Sequence, residues 1–314
     1  VAFPTETVYG LGADASNAGA VRKIFQAKGR PADHPLIVHL SNAKQVAQWV
    51  RAIPPAAELL MQKFWPGPLT LIFERAPNVL DEVTGGQDTV GLRVPSHPMA
   101  QQLLRAFNGG IAAPSANRFG RISPTTAAHV REELGDAIEL VLDGGPCDVG
   151  IESTIIDVST GVARLLRPGG IARDALETVL HASVVQASGD APRASGTLAA
   201  HYAPSARMLL VRPEALEQYT RDHQHDTGVA VLARCTQPSD LRAVHWHVAP
   251  SDARAYAHDL YATLRELDAQ GCGLLIVEAP PATPEWEAVH DRLRRAAAGS
   301  GAQGSKDASA ADAP

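Results

Sequence analysis

Lys28 and Arg30 stand two residues apart in the run Lys28-Gly29-Arg30-Pro31. Two cations held that closely, on a segment tied to ordered elements on either side, suit a polyanion such as a phosphate chain. A Lys-x-Arg pair alone also describes a solvated surface, so the weight falls on what accompanies it. In Ala112-Ala113-Pro114-Ser115-Ala116-Asn117 an apolar segment ends in proline and is followed by a hydroxyl and an amide. Val1-Ala2-Phe3 likewise stops at Pro4 and leads into Thr5-Glu6-Thr7. Arg93 and Arg167 add cations, Ser123, Ser153 and Thr154 add hydroxyls, and His39 adds an imidazole. No Cys/His or Ser/His/Asp nucleophile set stands out, which argues against covalent catalysis. The inventory fits phosphoryl-group chemistry driven by positioning and charge neutralisation. Magnesium bridging phosphates is expected with it, since Mg²⁺ is commonly held by one or two protein oxygens plus the substrate. Glu6 and Glu152 are the carboxylates that come into question, and no dedicated metal-ligand set is present.

These residues need rigid supports. Val1 to Leu40 reads as a buried strand, a polar turn, a helix, a Lys-Gly-Arg loop and a second strand, Leu36 to Leu40. Asn17 can cap a helix whose Val21, Ile24 and Phe25 recur at i, i+3 and i+4, and Pro31 forces that helix to end before it. Residues 44–64 read as helical with a break near Pro54-Pro55, followed by a stiff Trp65-Pro66-Gly67-Pro68 turn into a strand over 69–73. Thr89 to Val94 alternates strictly, placing Val90, Leu92 and Val94 on one face and Thr89, Gly91 and Arg93 on the other. Gly91 permits close backbone approach beside Arg93, which fits an anion contact; a surface ion pair is the alternative for that arginine. A helix over 98–107 and a strand over 111–113 lead to Ser115 and Asn117. Ser123-Pro124-Thr125 reads as a helix start, with Ser123 as cap and proline at the first helical position. A strand over 138–142 ends in Asp143-Gly144-Gly145-Pro146, a turn glycine-rich enough for an anion nest. Strands at 155–158 and near Leu165–Arg167 and a helix over 171–180 complete the first domain.

Residues 186–200 change to small, polar, Gly- and Pro-containing composition, that of a linker. An α/β rhythm then resumes, with strands at 208–212, 229–233, 244–248 and 274–278 and helices at 213–224, 252–269 and 284–297. This second half has no GxGxxG or P-loop spacing. Residues 299–314 have the composition of a disordered tail. The 314 residues, 45% hydrophobic, are enough for about two domains. Net charge is −6 (28 basic against 34 acidic side chains), with neither half basic, so tight electrostatic binding of nucleic acid is not indicated. Cys147, Cys235 and Cys272 lack zinc or CxxC spacing and read as thiols in a reducing, cytoplasmic compartment. Neither a signal peptide nor a membrane-length apolar run is visible.

Eight ordered motifs make a pattern. PTETVYGLG, KGRPADHPLIVH, WPGPLT, TVGLRVP, AAPSAN, SPT, GIESTIIDV and LRPG together resemble the YrdC-like family of threonylcarbamoyl-adenylate synthases over roughly residues 1–180. His201-Tyr202-Ala203-Pro204 extends the resemblance to that family's long form. The resemblance implies a YrdC-like twisted mixed sheet with helices and an open groove, plus a smaller Rossmann-like C-terminal α/β domain. It divides the chain into a catalytic domain at 1–180, a linker or lid at 181–206 and a second domain at 207–298. Because the family places a helix and a glycine turn before the first strand, an N-terminal truncation is expected.

The same resemblance implies conversion of L-threonine, bicarbonate and ATP to threonylcarbamoyl-adenylate and diphosphate, as a nucleotidyltransferase serving the downstream tRNA threonylcarbamoyl transferase machinery. It places Lys28 and Arg30, with Ser115 and Asn117, at the nucleotide and carboxylate site, and Thr5, His39, Ala113 and Ser153 near the threonine and bicarbonate. Thr89, Arg93, Ser123, Arg167 and Tyr202 match nucleotide contacts. His34 does too, although many relatives carry Asn before Pro-Leu there. The linker's His201 and Tyr202 are expected to act as a lid, with Ser195-Gly196 as hinge. Two rivals are a carbamoyltransferase that forms carbamoyl-adenylate and a non-catalytic module for double-stranded RNA; a weak RNA affinity in a local basic groove is compatible with any of these.

Overall fold

The computed structural model describes residues 1–226, 228–241 and 245–301, which divide into two compact units. The first comprises residues 1–119 and 123–197; the second comprises 120–122 and the chain from Leu198 on. In the first unit, β1 (Ala2–Phe3) and β2 (Gly10–Leu11) form an antiparallel pair around the Thr5–Thr7 turn. The remaining strands are β3 (Ala13–Asp14), β4 (Ile37–His39), β5 (Leu69–Glu74), β6 (Thr89–Arg93), β7 (Ile111–Ala112), β8 (Thr154–Asp157), β9 (Arg164–Arg167) and β10 (Val185–Gln186). They make one mixed sheet in the order β10-β9-β8-β5-β6-β4-β7-β3. β4 runs parallel to β6, β5 antiparallel to β6 and parallel to β8, and β8 antiparallel to β9. One end of the sheet therefore gathers His39, Arg93 and Arg167 at strand ends with Thr70 and Ser153 at strand starts.

The central strands are buried on both faces, as a covered mixed sheet requires. One face packs in the main core with Leu69, Leu71, Phe73, Val90 and Leu92. The other carries Ile37, Ile72, Ile155 and Leu166, covered by Ala194 of the segment that follows β10. Gly91 lies on this second face, where an added Cβ would meet Ile72 Cδ1 at 3.0 Å and Thr70 Cγ2 at 3.6 Å. The grouping of Thr89, Gly91 and Arg93 read from alternation is the one observed.

The first helix, Ala18–Lys28, starts where Asn17 Oδ1 accepts from the Ala20 N–H and stops at Gly29, whose φ of +62° ends the helical hydrogen-bonding. Lys28 is thus the helix's last residue rather than part of the loop beyond it. The 44–64 region resolves into a 3₁₀ turn, Ala43–Gln48, and a helix, Pro55–Phe64. Two expectations fail. No strand covers 138–142; Val141 makes a single bridge to Ala2. The next helix begins at Ala127, capped by Thr126 rather than Ser123. Ser123 is instead drawn inside, where burial satisfies its hydroxyl on a carboxylate.

The second unit holds an all-parallel sheet of β11 (Arg207–Val211), β12 (Val229–Ala233), β13 (His245–Val248) and β14 (Leu274–Glu278), ordered β11-β14-β12-β13. The helices Pro213–His223, Ala253–Ala269 and Glu287–Gly299 accompany it. The last of these carries order as far as Gly299, inside the stretch read as a tail; residues 302–314 of that stretch lie outside the described residues. The segment read as one linker, 181–206, is divided: residues through Thr197 pack with the first unit and those from Leu198 with the second.

Candidate active site

Lys28 is buried, and its Nζ donates to Ser115 O at 2.6 Å and to Asn117 O. Burial, then the neighbouring Arg30, hold its pKa well below the ordinary lysine value. Asn117 Nδ2 donates to Arg118 O at 2.9 Å, which fixes the loop whose carbonyls receive the ammonium. The KGR and PSAN motifs, almost ninety residues apart, meet through this one side chain. Ala113 is buried beside them, its N–H donating to Ile37 O at 2.9 Å.

Arg30 is buried and donates from Nη2 to Pro35 O at 3.0 Å and to Ser195 Oγ at 3.4 Å, with Phe119 5.7 Å from its guanidinium carbon. His34 meets Phe119 edge-on at 5.3 Å and is partly exposed. Its pKa is lowered by burial and then by Arg30. From the other end of the sheet, Arg167 donates from Nη1 to Ser195 O at 2.7 Å and from Nε and Nη2 to Ser153 O at 3.2 and 2.9 Å. Arg30 and Arg167 therefore converge on one residue of the strap formed by residues 187–197. Arg193 fastens the same strap: its N–H donates to Gln87 Oε1 at 2.7 Å and its Nη2 to Gly85 O at 2.9 Å. Thr89 lies under the strap, in a small cleft shared with Pro35, Gly91, Arg193 and Ser195.

Arg93 is buried against Glu6 at 2.7 Å and donates to Thr7 Oγ1 at 2.9 Å. Thr5 Oγ1 lies 2.8 Å from Thr7 Oγ1 and accepts from the N–H groups of Thr7 and Val8, which locks the turn after β1. His39 sits across from Arg93 in the β4–β6 register, fully buried, with Nδ1 3.3 Å from Ile37 O. Burial first and Arg93 second lower its pKa to about 3, so the imidazole is neutral at physiological pH. Ser123 Oγ donates to Glu152 Oε1 at 2.6 Å, next to Ser153.

Two assignments change with the geometry. The Asp143–Pro146 turn offers no open nest: Gly144 N donates to the Tyr9 hydroxyl and Gly145 N to Asp143 Oδ1. Glu6 is committed to Arg93 and to the Ser96 N–H, at 3.1 Å, and does not fit a magnesium ligand; among the described residues no cluster of three His, Cys, Asp or Glu could hold a metal. Tyr202, assigned to the nucleotide from the resemblance, is buried at a φ of +62°, with Tyr261 at 5.6 Å, the Arg292 guanidinium carbon 5.2 Å from its ring and His201 edge-on at 4.2 Å. Sequence reasoning missed Ser195 and Arg193 as partners of the cluster, because a linker composition signals no contacts. It also missed Thr70, which the WPGPLT motif contained.

The chain that builds these two α/β units matches two family models. One, described as "Telomere recombination" and covering Sua5, YciO and YrdC, matches residues 1–169; the other, "Threonylcarbamoyl-AMP synthase, C-terminal domain", matches residues 171–298. The chain is similar to the threonylcarbamoyl-AMP synthases of Pyrococcus abyssi and Bacillus subtilis, each at 39% identity. Those matches cover 94% and 95% of this chain and 89% of each relative. Among solved structures it resembles Pyrococcus abyssi Sua5 complexed with L-threonine, with a TM-score of 0.85 and 37% identity over 95% of this chain and 90% of that one. A double-alanine variant of the same protein gives 0.86 and 36%, over 95% and 89%. The chain belongs to the threonylcarbamoyl-AMP synthase family. The mixed-sheet fold is that of the Sua5 structures.

Proposed function

We propose that this chain joins L-threonine, bicarbonate and ATP into threonylcarbamoyl-AMP with release of diphosphate and water, using the first unit's sheet face as the reaction site. The observation that carries the site assignment is the convergence of Arg30 and Arg167 on Ser195 beside the Lys28–Ser115–Asn117 cluster. Ser195 presents a hydroxyl and a carbonyl to two guanidinium groups, as phosphate oxygens would. The cations would spread the negative charge that develops as diphosphate leaves, in a setting where charge is only weakly screened. Lys28, Arg30, Thr89, Arg93, Ser115, Asn117, Ser123 and Arg167 are assigned to the nucleotide, with His34 at the rim. Thr5, His39, Ala113 and Ser153 are assigned to threonine and bicarbonate.

A neutral His39 offers an uncharged polar contact, and Ser153 a hydroxyl next to a guanidinium. Magnesium that accompanies ATP would ride on the triphosphate rather than on Glu6. The product is a mixed anhydride of a carbamic acid and AMP, so it must be consumed by a nucleophile; the tRNA threonylcarbamoyl transferase machinery of a cytoplasm is the partner this implies. No helix among the described residues is long and apolar enough to cross a membrane. The test is a product assay with labelled bicarbonate and ATP, with and without threonine. Label should enter an adenylate only when threonine is present. Label entering an adenylate without threonine would overturn the threonine assignment, and no label under either condition would overturn the activity.

A further inference from the structure

Thr70, on β5, is fully buried, and its hydroxyl oxygen lies 2.8 Å from Ser153 Oγ. Among the described residues that oxygen has no other hydrogen-bond partner. Ser153 Oγ is more crowded. It also receives Arg167 Nη2 at 3.2 Å, and a guanidinium can only donate. A serine hydroxyl has one proton and two lone pairs, so the proton count between the two residues is limited to two arrangements. If Ser153 donates to Thr70, the Thr70 proton is left buried with nothing to accept it. If Thr70 donates to Ser153, both lone pairs of Ser153 are filled, one by Thr70 and one by Arg167. The Ser153 proton is then the one available to a ligand. A ligand bearing an acceptor oxygen selects the second arrangement.

We infer that Thr70 is a positioning residue for amino-acid binding: by donating to Ser153 Oγ it commits the Ser153 O–H as the donor to the substrate's carboxylate. The inference rests on the proposed assignment of Ser153 to the threonine subsite. The carboxylate suits this position because it is acceptor-only and anionic. Arg167, held to Ser153 O through Nε and Nη2, places a positive charge directly behind the donating hydroxyl. The support is preformed: β5 and β8 pair in parallel, with Thr70 opposite Ile155, two residues beyond Ser153 on the same strand face.

The experiment measures KM and kcat for threonine and for ATP in Thr70→Val, Thr70→Ser and Ser153→Ala. Valine keeps the shape of threonine but removes the hydroxyl, and losing one neutral hydrogen bond corresponds to roughly a three- to tenfold change. The KM for threonine should rise by about that factor in Thr70→Val, with the KM for ATP unchanged and kcat little altered. Thr70→Ser should restore the wild-type KM. Competition by L-threoninamide, which lacks the anionic carboxylate, should be weak against wild type and relatively stronger against Thr70→Val. Should valine prevent folding, Thr70→Ala supplies the same readout with a smaller side chain. An unchanged KM for threonine in Thr70→Val, or a rise in the KM for ATP instead, would overturn the inference. If Ser153→Ala raises the KM while Thr70→Val does not, only Thr70's role falls. If Ser153→Ala is silent, the assignment of Ser153 falls and takes this inference with it.

Discussion

His39 makes the stability of the first unit depend on pH in a way that can be isolated. In the folded state its pKa is lowered to about 3, by burial and by Arg93, against 6.5 for an exposed histidine. The unfolded chain therefore binds a proton on this side chain at a pH where the folded chain does not. Its contribution to stability is complete above about pH 6.5 and is lost progressively as the pH falls toward 3. Each pH unit within that window removes about 1.4 kcal/mol, so the step from pH 6.5 to pH 5 costs about 2 kcal/mol. The variant His39→Gln keeps a polar side chain and removes the titration. Urea unfolding of wild type and variant at pH 7.5 and pH 5, followed by hydrogen exchange in peptides of β4 and β6, separates this unit from the other. Other groups titrate identically in both proteins, so the difference in pH slope belongs to His39. Wild type should lose about 2 kcal/mol more than the variant between the two conditions. Equal slopes would mean that His39 is protonated in the folded state and that the account of its burial is wrong.

Three further perturbations address the site. Lys28→Ala and Arg30→Ala should each lower kcat by about 10²–10³, and near wild-type turnover in both would sink the assignment of these cations to the leaving diphosphate. Saturating ATP should compete with Ser195 for Arg30 and Arg167 and so increase limited proteolysis between Ser188 and Leu198; an unchanged cleavage rate would show that strap and nucleotide do not share those arginines. Serine differs from threonine by one methyl group, worth about 1–3 kcal/mol in a fitted pocket, so kcat/KM for serine should fall about 10- to 200-fold, and equal turnover of threonine, serine and alanine would show that the side chain is not read.

How much of this was legible from residues alone varies with what fixes each feature. The start and buried face of the Ala18–Lys28 helix were legible because Asn17 and the Val21/Ile24/Phe25 spacing act locally, whereas its end falls at Gly29, one residue later than the loop reading of Lys28 placed it. The face shared by Thr89, Gly91 and Arg93 was legible because strand alternation is geometric. Ser123 misled. Ser-Pro-Thr has the local chemistry of a helix start, but Thr126 has it too, and what decides between them is Glu152, twenty-nine residues away and buried. The glycine turn at 143–146 misled for a similar reason: its amides are open in isolation, and a tyrosine from β2's approach, Tyr9, reaches one of them.

A Ser/Gly/Ala/Pro composition predicts that a segment contributes little core, and over 187–197 that is nearly true: Ala194 is buried among the isoleucines of the sheet face, with only the small side chains of Ala187 and Ala191 packed, partly buried, beside it. What holds the segment is polar: Ser195 on Pro35, Arg30 and Arg167, and Arg193 on Gln87 and Gly85. A segment fastened by hydrogen bonds to cations leaves no periodic signature, yet it can be displaced by any ligand that offers those cations better acceptors. Apolar anchoring would have been visible in the sequence, but displacing it would expose nonpolar surface to water. Polar fastening with little apolar burial is what the proposed nucleotide site would need in a cover, and it is the reason such a segment reads as an ordinary linker.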